Sequence, residues 1–187
     1  DIVSWLNADD IYYPKTLLRV QKLFEEHPEA FFCFGRCPII NDNGREIRAA
    51  ITKFKELFFP FSSRFVFRSI NYISQPSVFF RRNIVDGSAP YIRENMVAAW
   101  DYEFFLRFWH YGKGIVLDGE PVAAFRWYES SISGQHFSVQ FREEYEAARE
   151  DAGVFAPSTI LHFGVRWAIV AAYSVMARMR TKRKQEL

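Results

Sequence analysis

Cysteine is scarce, with two residues in 187, too few for a disulfide scaffold. Charge of one sign is also missing: 24 Lys and Arg stand against 22 Asp and Glu. A nucleic-acid groove needs basic residues spread over the body, and here five of them sit in residues 178–187 beside one acid. The first 177 residues carry 19 basic and 21 acidic side chains, which argues against nucleic acid as a partner. There is no internal repeat, no low-complexity segment, no initiator Met and no signal peptide. The uncharged run from Trp167 to Ala177 has 11 residues, too few to span a bilayer.

Aromatic residues are plentiful: 20 Phe, 9 Tyr and 5 Trp make 18% of the chain. Such rings fill cores and also stack on sugar faces in clefts. With 49% hydrophobic and 25% charged residues, the composition is that of one globular domain.

Ile2 to Leu6 reads as a short buried strand. No turn precedes it, the expectation for a chain that begins in mid-domain. Pro14 fits the first turn of a helix with Leu17, Val20, Leu23 and Phe24 on its apolar face. Phe31 to Ile40 reads as one strand, Asn41–Gly44 as a turn, and Ile47 as part of a returning strand. Residues 54–74 are aromatic and irregular, expected as short helical pieces or a loop lining a cleft. Ser77–Phe80 reads as a strand and 86–90 as a loop. Asp101 to Tyr111 reads as a helix with Tyr102, Phe105, Leu106 and Trp109 on one face and Gly112 as its C-cap. Short strands follow at Ile115–Leu117 and Val122–Arg126. A charged helix is expected over 138–151 and a final helix over 158–180. Strands mixed with helices, without strict βαβ alternation, predict an α/β domain with a mixed sheet.

Two acidic features could carry chemistry. Asn7-Ala8-Asp9-Asp10 directly follows the first strand, where ligands bind in open α/β sheets. Adjacent carboxylates repel unless a cation or hydrogen-bond donors satisfy them. Mg²⁺ and Mn²⁺ favour such oxygen ligands together with substrate phosphates. An Asx-turn or helix cap explains the same residues without a ligand. Trp100-Asp101-Tyr102-Glu103 opens the later helix. Asp101 suits an N-cap there, and in a cleft it would take a proton from an incoming hydroxyl.

Other side chains carry open alternatives. Gln75 and Ser77 would bind acceptor hydroxyls or make strand-edge bonds. Trp100 would stack on a sugar or sit in the core. Cys33 and Cys37 lack a second ligand pair and read as free thiols rather than zinc ligands. The four histidines are scattered, with His136 the one nearest a candidate loop.

Taken together, the segments resemble family-2 glycosyltransferases, which have the GT-A fold. Trp5-Leu6-Asn7-Ala8-Asp9-Asp10-Ile11-Tyr12-Tyr13-Pro14 resembles the family's DxD-type segment. Ser74-Gln75-Pro76-Ser77-Val78-Phe79-Phe80-Arg81-Arg82 resembles its middle strand, and Ala99-Trp100-Asp101-Tyr102-Glu103-Phe104-Phe105-Leu106-Arg107 its catalytic-base segment. The resemblance implies a Rossmann-related mixed sheet flanked by helices, truncated at the N-terminus. Residues 1–135 would be the metal and acceptor half, without the family's nucleotide-binding half, and the chain alone would then be inactive. Residues 136–187 would be a helical extension with a basic tail.

The implied reaction is inverting hexosyl transfer from a nucleotide-diphosphate sugar, assisted by Mg²⁺ or Mn²⁺. Asp10 would bind the cation, with Asp9 at the ribose or sugar and sharing the metal site. Asp101 would be the base, Trp100, Gln75 and Ser77 would meet the acceptor, and Arg126 would reach a phosphate or form a surface salt bridge. In Arg126-Trp127-Tyr128-Glu129-Ser130-Ser131, Tyr128 stands where the family often has His. The acceptor would be a glycan or lipid-linked molecule of cell-surface polysaccharide assembly. The protein would be cytoplasmic and peripheral at the inner face of the membrane, with 160–187 against anionic lipid or that helix packed on the body. Two rivals remain: a non-catalytic carbohydrate-binding or membrane-associated module of this fold, and a nucleotidyltransferase, which needs further carboxylates near Asp10.

Overall fold

The computed structural model describes residues 1–86, 92–129, 131 and 135–169. In chain order these are β1 (Ile2–Ser4), β2 (Ile11–Tyr12), α1 (Thr16–Glu26), β3 (Phe32–Gly35), β4 (Ile39–Ile40), β5 (Glu46–Ile47) and α2 (Ala49–Glu56). A 3₁₀ turn at Phe59–Phe61, α3 (Arg64–Ser69), a second 3₁₀ turn at Gln75–Ser77, β6 (Val78–Arg81) and α4 (Arg82–Asp86) follow. Then come α5 (Trp100–Phe108), β7 (Gly114–Leu117), β8 (Ala123–Arg126), α6 (Phe137–Ala152) and α7, helical from 157 to 169.

The strands form two mixed sheets, ordered β1-β6-β3-β7 and β2-β8-β4-β5. In the first, β3 pairs antiparallel with β6 and parallel with β7. Its two faces explain the unbroken apolar run in β3. Phe32 and Phe34 join Val78, Phe80 and the α5 rings in one core, while Cys33 and Phe79 turn to Val20, Leu23 and Phe24 of α1. Phe108, fully buried, lies 4.7 Å from Phe104, 4.8 Å from Phe80 and 5.5 Å from Phe32, centroid to centroid. Gly114 sits opposite Phe32, where a Cβ would stand 2.3 Å from that ring, so only glycine lets β7 close on β3.

Several sequence expectations are corrected. The strand expected over Phe31–Ile40 is two strands in different sheets. Pro38 has no N–H to continue a ladder, and the chain crosses at Arg36–Pro38. The Arg36 and Pro38 carbonyls there accept the Val122 and Phe125 N–H groups, both at 2.9 Å. The first strand ends at Ser4, and Trp5 and Leu6 leave the sheet. Helix α1 starts at Thr16, after Lys15 in the left-handed region at φ 65°, so Pro14 precedes it. Leu17 is 61% exposed, and Thr16 holds the buried position because its hydroxyl donates to Val122 O at 2.7 Å. Helix α5 is capped by Trp109, and Gly112 instead gives room to the Phe31 ring.

The Asn41 turn forms as expected, with Asn41 Oδ1 accepting the Asn43 and Arg45 N–H groups and Gly44 at φ 73°. Helix α6 puts Ala147 and Ala148 into the same core as α5. Residues 87–90 of the expected loop and the tail from 170 onward lie outside the described residues. No helix among the described residues is long and apolar enough to cross a membrane.

Candidate active site

The loop after β1 separates the two adjacent carboxylates. Asp10 is buried at 6% exposure and acts as a clasp. Its Oδ1 accepts the Arg126 N–H at 2.8 Å, and its Oδ2 accepts from Asn7 Nδ2 at 3.0 Å. Burial raises its pKa, opposed by those two hydrogen bonds. Asp9 instead lines a cleft of about 520 Å³ whose wall also includes Asp101, Trp100, Lys55 and Glu144. Of the two carboxylates expected at the metal site, Asp10 does not line the cleft and each of its oxygens already accepts one protein donor, so Asp9 is the one that faces it. Asn7 shares the cleft wall with Asp9, but its amide is committed to Asp10 and to Gln75 Oε1 at 3.0 Å.

Arg126 reinforces the same clasp. Its Nε donates to Asp9 O at 2.8 Å and its Nη1 to Asn41 O. Arg126 lines the cleft and spends these two bonds on backbone carbonyls, not on an acidic side chain. Tyr128 donates a hydrogen bond to Asp9, and this bond and the Asp9 charge raise the phenol pKa. Arg48 lies over the Trp127 ring at 3.5 Å, closing that side of the cleft.

Asp101 is not the N-cap of α5; Ala99 holds that place. The N–H groups before the helix are taken by Glu143 of α6, buried at 5%, which accepts from Val97, Ala98 and Ala99 at 2.8–3.0 Å. Asp101 is thereby left in the first turn, facing the cleft, with one oxygen accepting the Tyr102 N–H at 2.8 Å. Burial pushes its pKa up to about 6, and the Glu144 charge adds to this; the Tyr102 N–H and the Lys55 ammonium oppose it. A carboxylate so placed is ionised at neutral pH yet more basic than an exposed aspartate, which suits proton abstraction.

The acceptor-side expectations divide. Trp100 lines the cleft and meets Trp5 at 5.2 Å, an aromatic wall with an exposed edge. Gln75 also lines it, but its amide donates to Trp5 O and accepts from Asn7, which makes it a brace for the loop. Ser77 is fully buried, and its hydroxyl donates to Ser74 O at 2.7 Å, so it has no place in acceptor binding. Cys33 and Cys37 are buried free thiols, and burial lifts both to about 12.

Sequence reasoning missed Lys55, Glu144 and Asn71. Lys55 donates to Ser74 Oγ at 3.1 Å, and burial lowers its pKa. Glu144 is 3% exposed and accepts from Asn71 Nδ2 at 2.9 Å and Gln140 Nε2 at 3.0 Å. The available signal was a glutamate on the apolar stripe of α6, one turn before Ala147 and Ala148. Of the helical pieces or loop expected over 54–74, short helical pieces form, and Phe54, Ile70 and Ile73 lie on the cleft wall.

Among the described residues no three His, Cys, Asp or Glu side chains gather as a metal cage. A hard cation often takes one or two carboxylates and completes its shell with water and substrate phosphates. Asp9, the carboxylate of the adjacent pair that lines the cleft, fits that arrangement better than the clasped Asp10.

Residues 1–87, the stretch that holds the Asp9 loop and the middle strand, match the model of glycosyl transferase family 2. That stretch is matched as part of a family-2 glycosyltransferase domain. No curated protein matches the chain. The two mixed sheets flanked by helices form a GT-A-like fold, and the domain's activity at family level is glycosyl transfer. Members of family 2 generally use nucleotide-sugar donors and often divalent cations.

Proposed function

We propose that this family-2 glycosyltransferase moves a hexosyl group from a nucleoside-diphosphate donor to an acceptor hydroxyl, with inversion. The observation that carries the reading is that Asp9 and Asp101 line one cleft with Trp100. The acceptor O–H gives its proton to Asp101. Its oxygen forms the new bond to the anomeric carbon as the bond to the diphosphate oxygen breaks. Attack from the opposite face inverts the centre, through a transition state of oxocarbenium character. Asp9 would hold the divalent cation, which as a Lewis acid offsets charge on the leaving diphosphate. Arg126 positions the Asp9 loop through its two carbonyl bonds. Trp100 and Trp5 offer the acceptor an apolar face.

The family and the basic tail support an acceptor in cell-surface glycan assembly, glycan or lipid-linked, and a site of action at the inner membrane face. The shared cleft favours transfer over a non-catalytic carbohydrate-binding module. In the intact protein, Asp101→Asn is expected to lower kcat for transfer by about 10²–10⁴ while leaving nucleotide binding nearly unchanged. Turnover close to that of the unaltered protein would remove Asp101 from the mechanism.

A further inference from the structure

We propose that an apolar groove between the α2–α3 segment and α7, outside the catalytic cleft, seats a hydrocarbon chain, and that this chain belongs to a lipid-linked acceptor. The proposal rests on the transfer reading and narrows its acceptor to one class.

The groove has a volume of about 620 Å³. Phe54, Phe61, Phe65 and Ile70 form one wall, and Leu161, Val165 and Ala168 of α7 form the other. Those three recur at i, i+4 and i+7, one stripe of the helix. A neighbouring stripe of α7 is pinned to the body. His162 Nδ1 donates to Arg68 O at 2.7 Å, and Ser158 Oγ accepts from Arg68 Nη1 at 3.2 Å. With α7 held there, its apolar stripe faces the phenylalanines across open space. Protein interiors pack like organic crystals, so an apolar gap of this size marks a ligand site rather than a packing fault.

The lining fixes the chemistry of the occupant. Ser69 is its one polar residue among the described residues, and the buried Ser69 hydroxyl already donates to Phe65 O at 2.8 Å. A polar ligand would lose its water there and gain no partner. A hydrocarbon chain only removes apolar area from water. Position ties that chain to the reaction. Phe54, Ser69, Ile70, Val165 and Ile169 line both the groove and the cleft that holds Asp101, so the two share a wall. A molecule with its chain in the groove has its head at the cleft. The rim is apolar as well, with Phe61 70% and Phe65 50% exposed, which suits a chain delivered from a lipid surface. Further along the chain, residues 178–184 carry five Lys or Arg and no acid, complementary to the anionic phosphate of such lipids.

The test is a calorimetric titration of the full chain with alkyl phosphates from butyl to dodecyl, each below its micellar concentration. Binding should saturate at one per chain, with Kd falling about threefold for each added CH₂. Ala168 is exposed, so Ala168→Phe fills the groove without a buried clash and should abolish the dependence on chain length. Phe65→Ser should weaken dodecyl phosphate about tenfold, and keeps the test decisive if the first variant does not fold. The proposal is overturned if inorganic, butyl and dodecyl phosphate bind alike, or if Ala168→Phe leaves the series unchanged. It is also overturned if no alkyl phosphate binds, the result of a groove filled by residues 170–187 or by a second copy. In transfer assays, kcat/KM should rise with the alkyl length of the acceptor. A flat profile with chain binding intact would assign the groove to a bilayer lipid and overturn the acceptor. Asp101→Asn separates this proposal from the reading it rests on. Retained chain binding without transfer supports both, and retained transfer sinks the base while leaving the groove standing.

Discussion

The two sheets are held together by different physics. The β1-β6-β3-β7 sheet is packed on both faces, by α5 rings on one side and α1 on the other, and its cohesion is aromatic and non-directional. The β2-β8-β4-β5 sheet has strands as short as two residues and is clasped by polar side chains: Asp10 to the Arg126 N–H, Arg126 to Asp9 O and Asn41 O, and Thr16 to Val122 O. The site draws on both: Asp9 sits on the clasped loop beside the second sheet, and Asp101 on α5, which packs the first. Directed hydrogen bonds fix orientation more tightly than apolar contact does, and a cleft that must place one carboxylate needs orientation more than cohesion.

The largest break in this comparison is expected from Phe108→Ala. It opens a cavity among Phe32, Phe80 and Phe104 and should cost about 3–5 kcal/mol in chemical denaturation, with the surviving folded fraction still binding nucleotide. A loss below 1 kcal/mol would deny the first sheet its aromatic cohesion.

Next comes the contrast between neighbours. Asp10→Ala strips the Arg126 N–H and Asn7 of their acceptor and should cost about 1–3 kcal/mol. Asp9→Ala should stay within about 0.5 kcal/mol of the unaltered protein. In binding the order reverses: Asp9→Ala should abolish the Mg²⁺ or Mn²⁺ dependence of nucleotide binding seen by calorimetry. Equal stability losses for the two variants would erase the division of labour between them.

A smaller effect sharpens the electrostatic side. The Asp101 carboxyl is held at about 6 in the folded protein, above the roughly 3.9 of an unfolded chain. The folded state therefore binds this proton more tightly, and the stability so gained is full below about pH 4 and lost as pH rises through about 6. Asp101→Asn should thus be more stable than the unaltered protein at pH 8, with the gap closing toward pH 4. Parallel stability curves for the two across that range would contradict the raised value. For the same reason kcat/KM for transfer should fall as pH drops through about 6, where the base becomes protonated.

The smallest effect tests Ser77. Ser77→Ala removes one local bond, to Ser74 O, and should cost about 1 kcal/mol without changing the acceptor KM. A raised KM at unchanged stability would return Ser77 to the acceptor site.

Much of this was legible in the sequence, because helix and strand signals are local. The α5 face of Tyr102, Phe105, Leu106 and Trp109 and the Asn41–Gly44 turn formed as read, and the order of the Asp9 loop, the middle strand and the Asp101 helix pointed to the family. Less legible was the break of 31–40 into two strands. An apolar run shows that a segment is buried, but not that its two halves belong to different sheets.

What the sequence by itself determined is therefore the set of elements, the family and the two acidic segments that carry its chemistry. Which neighbouring carboxylate faces the cleft was decided only in three dimensions, because the donor that claims Asp10 is the Arg126 N–H, 116 positions further along. Lys55, Asn71 and Glu144 were invisible for the same reason. Asn71 and Glu144 meet across 73 positions, and a polar side chain acquires a role only when folding settles which of its hydrogen bonds the protein fills and which it leaves for a ligand.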